Sequence, residues 1–257
     1  MTDILLSAFL LSVVLLGIHS YFGLEIIRRG IIFTDLAIGQ MAALGAAISL
    51  FFMDGKYLYP VSLSFSLVGG FLIAFTARRS KNLEAFIGLL YAFGISAVFI
   101  ILSKSSHGME MFQQLMAADI LFTPIGEVAK TAVLYAALGG VILFFEKKTS
   151  GFVRDMLFFI TFAITVTSSV RLAGVLIVFA LLVAPALIAI CVCRGKRLIA
   201  AWVIGTAVNI AAIIASYRFD FPTGYTIVLF NAFAALVVTA VLRGNGTGGA
   251  EAQSRTE

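Results

Sequence analysis

Charge is scarce in this sequence. Only 12% of its 257 residues are Asp, Glu, Lys or Arg, where a soluble domain carries about a quarter. With 61% hydrophobic residues and a mean hydropathy of +1.08, that scarcity excludes an ordinary water-soluble fold. Histidine is almost missing, at His19 and His107 only, and no H-E-x-x-H occurs, which argues against a membrane metalloprotease. No G-x-x-x-x-G-K-[ST] loop occurs either, so ATP is not hydrolysed on this chain by that route. Cysteine is limited to Cys191 and Cys193, one C-x-C beside "RGKR". That pair reads as free, reduced thiols rather than a metal site. The opening "MTDILLSAFLL" lacks a basic stretch, so no cleavable signal peptide is expected.

What is present is a succession of long apolar runs. They fall at about 4–27, 31–53, 58–77, 84–103, 125–145, 155–170, 173–193, 198–217 and 224–242. Most approach the roughly 20 residues that carry a helix across about 30 Å of hydrocarbon. A bilayer admits only helices or closed barrels, and the alternating ten-residue segments of a barrel are absent. The fold class expected is an all-α polytopic membrane protein with about eight or nine transmembrane helices in one bundle. Basic residues gather between the runs, at Arg28/Arg29, "RRSK" (78–81), "EKKTSGFVRD" (146–155) and "CRGKR" (193–197). Placing these four in the cytoplasm makes every basic turn alternate with a poorly charged one, with the N-terminus outside and the C-terminus inside. The net charge of +5 is then a membrane signature, and no nucleic-acid partner is expected.

One stretch resists the simple count. Arg171 is the sole ionisable residue between Met156 and Ile190, and a straight helix of that length would span about 50 Å. A break is expected in "TVTSSVRLAG" (165–174), after a short helix or within a re-entrant pair. Ala42/Ala46, Ala43/Ala47 and Gly45/Ser49 are small-xxx-small pairs that suit close helix packing, within the chain or against a second copy. Residues 1–243 read as the transmembrane domain. The Gly-rich polar stretch 244–257 reads as a disordered cytoplasmic tail.

Against this background a few polar groups stand out at or inside the membrane: His19, Glu25, Asp35, Gln40, Asp119, Asn209, Asp220 and Asn231. Asp35 is the sharpest. An intramembrane carboxylate costs about 2.5–3.5 kcal/mol at a helix centre and marks a functional site by default. The plainer account is that Asp35 lies shallow, within reach of headgroups or of Arg28 and Arg29. Scattered polar groups of this kind suit a path for a small polar solute or ion better than a hydrolytic site.

The residues also carry a resemblance. "RRGIIFTDLAIGQMAALG", Glu84, Ile87 and Gly88 of "LEAFIGLLYAFG", Asp119 in "LMAADILFTPIGEV", Gly174 and Pro185 of "SSVRLAGVLIVFALLVAPALIAI", and Asp220, Pro222 and Gly224 of "FDFPTGYTIVL" follow one another in order. Together they resemble the integral membrane permeases of bacterial ABC importers for zinc, manganese and iron. The resemblance implies a permease in the bacterial plasma (inner) membrane, paired with a second permease copy or a related one. It further implies cytoplasmic ATPase subunits, an extracytoplasmic metal-binding protein, no permanently bound cofactor, and a transported divalent metal ion. Alternating access would move the ion, and the permease itself would do no covalent chemistry.

The candidates for the translocation route are Asp35, Gln40, Asp119, Asp220 and His107. Family members carry Asp followed four residues later by His, two groups on one helical face. Here position 39 is Gly, and Gln40 lies five positions on, roughly 140° around an ideal helix. Either a local bulge restores the geometry or the two residues face different neighbours. Loss of the softer imidazole suits a harder ion such as manganese. Asp220 suits an outer electrostatic mouth or a plain turn. His107 and Glu110, before Asp119, suit an external metal-receiving site or a solvated loop. His19 and Glu25 are explained by interfacial packing. Family members also carry a longer cytoplasmic segment before the signature helices, where this chain has only "EKKTSGFVRD", so the ATPase contact is expected to be shorter or to shift to "RRSKNLE" or "CRGKR". Rival readings are a permease for a metal chelate or other small solute, and a stand-alone secondary transporter or channel, whose paired broken segments are not evident.

Overall fold

A computed structural model describes residues 2–79, 82–107, 110, 113, 120–146 and 148–253. It is a helix bundle with no strand among the described residues. The helices are α1 (Thr2–Arg29), α2 (Thr34–Phe52), α3 (Leu58–Ala77), α4 (Leu83–Leu102), α5 (Ile125–Glu146), α6 (Gly151–Ala173), α7 (Val175–Val192), α8 (Arg197–Phe219) and α9 (Thr223–Gln253). Among the described residues these nine are long and apolar enough to cross a membrane. A short 3-10 turn, Ile120–Phe122, precedes α5. The last span ends at Leu242, and α9 continues to Gln253 through residues read above as tail.

α1, α2, α6 and α7 are mostly buried, whereas α3, α4, α5, α8 and α9 expose most of their surface as an outer ring. Helices that are apolar all round gain nothing from hiding one face in lipid, so small residues and hydroxyls specify their packing. α2 shows this directly. Its Ala42, Ala43, Ala46, Ala47 and Ser49 are all buried within the chain, and a Cβ on Gly45 would stand 2.7 Å from Val61 O and Ser62 Cα of α3. The Ser62 hydroxyl donates to Ala42 O at 2.8 Å across the same seam. The small-residue pairs therefore serve packing inside one chain.

The expected break falls at one residue. Gly174, with φ 84° and ψ 163°, both ends α6 and starts α7; that backbone region is essentially open to glycine alone. The helix before it is not short. α6 begins at Gly151 and holds 23 residues, because Arg154 and Asp155 occupy its first turns rather than the loop. Both α6 and α7 are long enough to span, which replaces the re-entrant alternative.

The four basic clusters meet at one end of the bundle. Arg29 pairs with Asp155 at 2.9 Å, the Arg78 guanidinium lies 5.3 Å from the centre of the Phe152 ring, and Arg28 and Arg197 line one cavity. At the opposite end Arg171 pairs with Glu127 at 2.6 Å and lies 5.3 Å over the Tyr59 ring.

Candidate functional site

Asp35 occupies the first turn of α2, where the helix dipole favours an acid and no side chain caps the helix. It is only 2% exposed, and its Oδ1 has no hydrogen-bond partner. Asp35 therefore sits in the turn of α2 nearest Arg28 and Arg29, enclosed by the bundle rather than open to water, and both arginines are engaged elsewhere. Arg28 is paired with Glu25, and Arg29 with Asp155 and, at 3.6 Å, Glu25. Glu25 thus serves an interfacial ion-pair cluster. A buried carboxylate oxygen without a partner costs heavily, and such groups in a membrane domain mark places where something polar passes.

Gln40 does not join Asp35. α2 is an unbroken α-helix from Thr34 to Phe52, so no bulge brings the two into line. A Cβ on Gly94 of α4 would stand 2.8 Å from Gln40 Cβ, which places Gln40 against that helix. Gly39, one turn above Asp35, faces the other way: a Cβ there would meet Val175 at 3.4 Å and Val170 at 3.7 Å. A methyl there makes ordinary contact with both valines.

A second acid lies beside the start of α2. Glu84, in the first turn of α4, accepts the amide of Phe33 on Oε1 at 3.4 Å, and its buried Oε2 has no hydrogen-bond partner. The sequence shows Glu84 as a motif residue, but only the fold sets it beside the α1–α2 turn.

The remaining candidates are dispersed. Asp220 is exposed on the turn joining α8 and α9, with φ 54°; it is the left-handed C-cap of α8, as a turn residue would be. α2 packs against α3, α4, α6 and α7. His107 is exposed, its Nδ1 3.4 Å from Glu110 Oε2. Asp119 lies outside the described residues. Among the described residues no group of three or more His, Cys, Asp or Glu could hold a metal ion.

A polar cluster that the sequence did not show as a unit sits inside α1, α5 and α6. His19 Nδ1 donates to Leu15 O at 2.7 Å, and Nε2 lies 3.2 Å from Ser169 Oγ. Ser169 Oγ is 2.5 Å from the Tyr135 hydroxyl, which also stands 3.1 Å from Ser168 Oγ. The pairing joins residues far apart in sequence, so no local spacing announces it. Asn231 Nδ2 donates to Asn209 Oδ1 at 2.8 Å, tying α9 to α8.

Residues 1–242 match the family described as the ABC 3 transport family. A curated relative from Haemophilus influenzae, the "Probable iron transport system membrane protein", is 24% identical over 170 residues. The match covers 60% of this chain and 62% of that protein, so the chain spans less than two thirds of the curated relative it matches. PsaBC from Streptococcus pneumoniae, solved in complex with Fab, superposes with a TM-score of 0.75 at 18% identity, covering 91% of this chain and 90% of that one. A second structure, described as an inward-facing conformation of a metal-chelate type ABC transporter, gives 0.67 at 14% identity over 92% of this chain and 85% of that one. At such identities the structural likeness speaks for the fold.

Proposed function

Since the chain belongs to the ABC 3 transport family, we propose that it is the membrane-spanning permease subunit of an ATP-driven importer. Its cargo in this reading is a divalent metal ion, manganese, zinc or iron, carried into the cytoplasm across the bacterial plasma membrane. The observation that carries it is Asp35: a carboxylate buried in a membrane helix, with one oxygen unpartnered. Such an oxygen offers a hard ligand that holds an ion in passage weakly enough to release it. The names of the Haemophilus relative and of the metal-chelate structure support cargo of the metal type. ATP hydrolysis falls to separate cytoplasmic subunits, a second permease copy or a related one completes the pore, and an extracytoplasmic protein delivers the metal. Gln40, Asp119, Asp220 and His107 remain secondary candidates, on separate parts of the chain.

A chelate permease is the second reading, and Gly39 favours it. The position that carries His in the metal-ion permeases is packed against Val170 and Val175, so the usual Asp-His pair is not rebuilt here.

The test is ATP-dependent uptake of manganese, zinc and iron into vesicles holding this chain with its ATPase and binding protein, alongside Asp35→Asn. Uptake of one ion, lost in Asp35→Asn while the ATPase still assembles, is the expected result. Uptake untouched by the substitution would make Asp35 structural. An intact, ATP-hydrolysing complex that moves no free ion would put the chelate first. Failure of any ATPase to co-purify would favour a stand-alone transporter.

A further inference from the structure

Two cavities open on the same side of the bundle and share Tyr21 and Leu198 in their walls. The larger, of about 410 Å³, lies among α1, α5 and α8, with Val13, Gly17, Ile18, Gly139 and Trp202 in a lining that is almost wholly apolar. The other, of about 370 Å³, sits at the basic end and includes Glu25, Arg28, Ile190 and Arg197. The pair forms one groove with an oily shaft and a charged mouth. Along α1 it runs from Arg28 to Val13, a rise of about 22 Å at 1.5 Å per residue, more than the roughly 15 Å depth of one hydrocarbon leaflet.

The floor of the shaft is held open by glycine. A Cβ on Gly17 or on Gly139 would meet nothing within 4 Å, whereas Gly23, Gly45, Gly94 and Gly205 are each pressed by a neighbouring helix. The mouth is organised rather than merely basic. Glu25 is answered by Arg28 and Arg29 pairs with Asp155, so the net positive charge of the mouth comes from Arg197. Arg197 is fixed by the bond from its Nε to Cys193 O at 3.1 Å. Guanidinium groups match phosphate geometry, and basic pockets between membrane helices on the cytoplasmic side take anionic headgroups.

We propose that this groove binds one anionic phospholipid of the cytoplasmic leaflet, its phosphate at Arg28 and Arg197 and an acyl chain over Gly17 and Gly139. A packed helix from a second copy would fill the shaft but would bring no counter-charge to Arg197, the guanidinium of this mouth that Glu25 does not answer. A lipid satisfies both. The assignment does not depend on which cargo the permease carries.

Native mass spectrometry of the full chain, extracted from bilayers of equal phosphatidylglycerol and phosphatidylethanolamine, tests it. The expected result is one retained phosphatidylglycerol per chain. Arg28→Gln with Arg197→Gln should lower its enrichment by about thirtyfold, since each basic residue near the surface contributes about 1 kcal/mol. Gly17→Leu with Gly139→Leu should abolish retention while the thermal unfolding temperature holds or rises, because those side chains enter open space. Equal retention of both lipids in all three proteins would overturn the proposal. So would disulfide crosslinking of Gly139→Cys between two copies in native membranes with no lipid retained, which would assign the groove to a second chain.

Discussion

Gly23 of α1 and Leu182 of α7 meet backbone to backbone. A Cβ built on Gly23 would collide with the Leu182 carbonyl oxygen and stand 3.0 Å from Ala186 Cβ, so the helices are as close there as glycine permits. Gly23→Ala should force them apart at about 1–3 kcal/mol, the usual cost of overpacking, and Gly23→Leu should not accumulate in membranes. Gly88→Ala, where a Cβ meets nothing within 4 Å, should raise the unfolding temperature, as alanine does at an open helix position. Thermal unfolding in detergent decides it; a Gly23→Ala protein that melts with the parent would show that the helices are not in contact.

The Tyr135 and Ser169 hydroxyls, 2.5 Å apart, should be energetically coupled. Interhelical hydrogen bonds in membranes average about 0.6 kcal/mol and reach about 1.7. A double-mutant cycle of Tyr135→Phe and Ser169→Ala is therefore expected to give a coupling in that range. Additive losses would mean that each hydroxyl is satisfied without the other.

Gly174 holds a conformation that other residues reach only at a cost of about 1–3 kcal/mol. Gly174→Ala should lower the unfolding temperature, although an alanine elsewhere in a helix would raise it. An unchanged melting curve would show that α6 and α7 can be joined by another backbone geometry.

Position 39 should control ion preference. Gly39→His alone is expected to impair folding, since the ring would meet Val175 and Val170. Paired with Val175→Ala, it should restore an imidazole one turn from Asp35 and shift uptake from manganese towards zinc, which imidazole suits. Competition between the two ions in the vesicle assay reads this directly, and a preference that stays put would separate position 39 from the route.

Much of this was legible before any coordinates. Spans and basic turns follow from chain chemistry that needs no partner: a run of apolar residues must be helical in lipid, and the arginines mark one side. Asp35 was conspicuous because charge is costly there. The structure adds what depends on contact between distant segments. The Tyr135–Ser169–His19 cluster joins three helices, and each residue taken alone looks like an ordinary membrane polar group. The roles of the glycines were equally hidden. Gly23 presses on a neighbour and Gly139 opens a groove, yet both are simply glycines in apolar runs. α6 starts before the apolar run at about 155–170, because Arg154 and Asp155, polar as loop residues are, belong to its first turns, where Asp155 pairs with Arg29.

α6 is fastened at both ends and continued without slack. Asp155 hooks it to α1 at the basic end, Arg171 hooks it to α5 at the other, and one glycine couples it to α7. A tilt of α6 therefore strains one ion pair at each end and the backbone at Gly174. Gly174 is the one point in this linkage where the backbone, rather than a side-chain pair, sets the angle between neighbours.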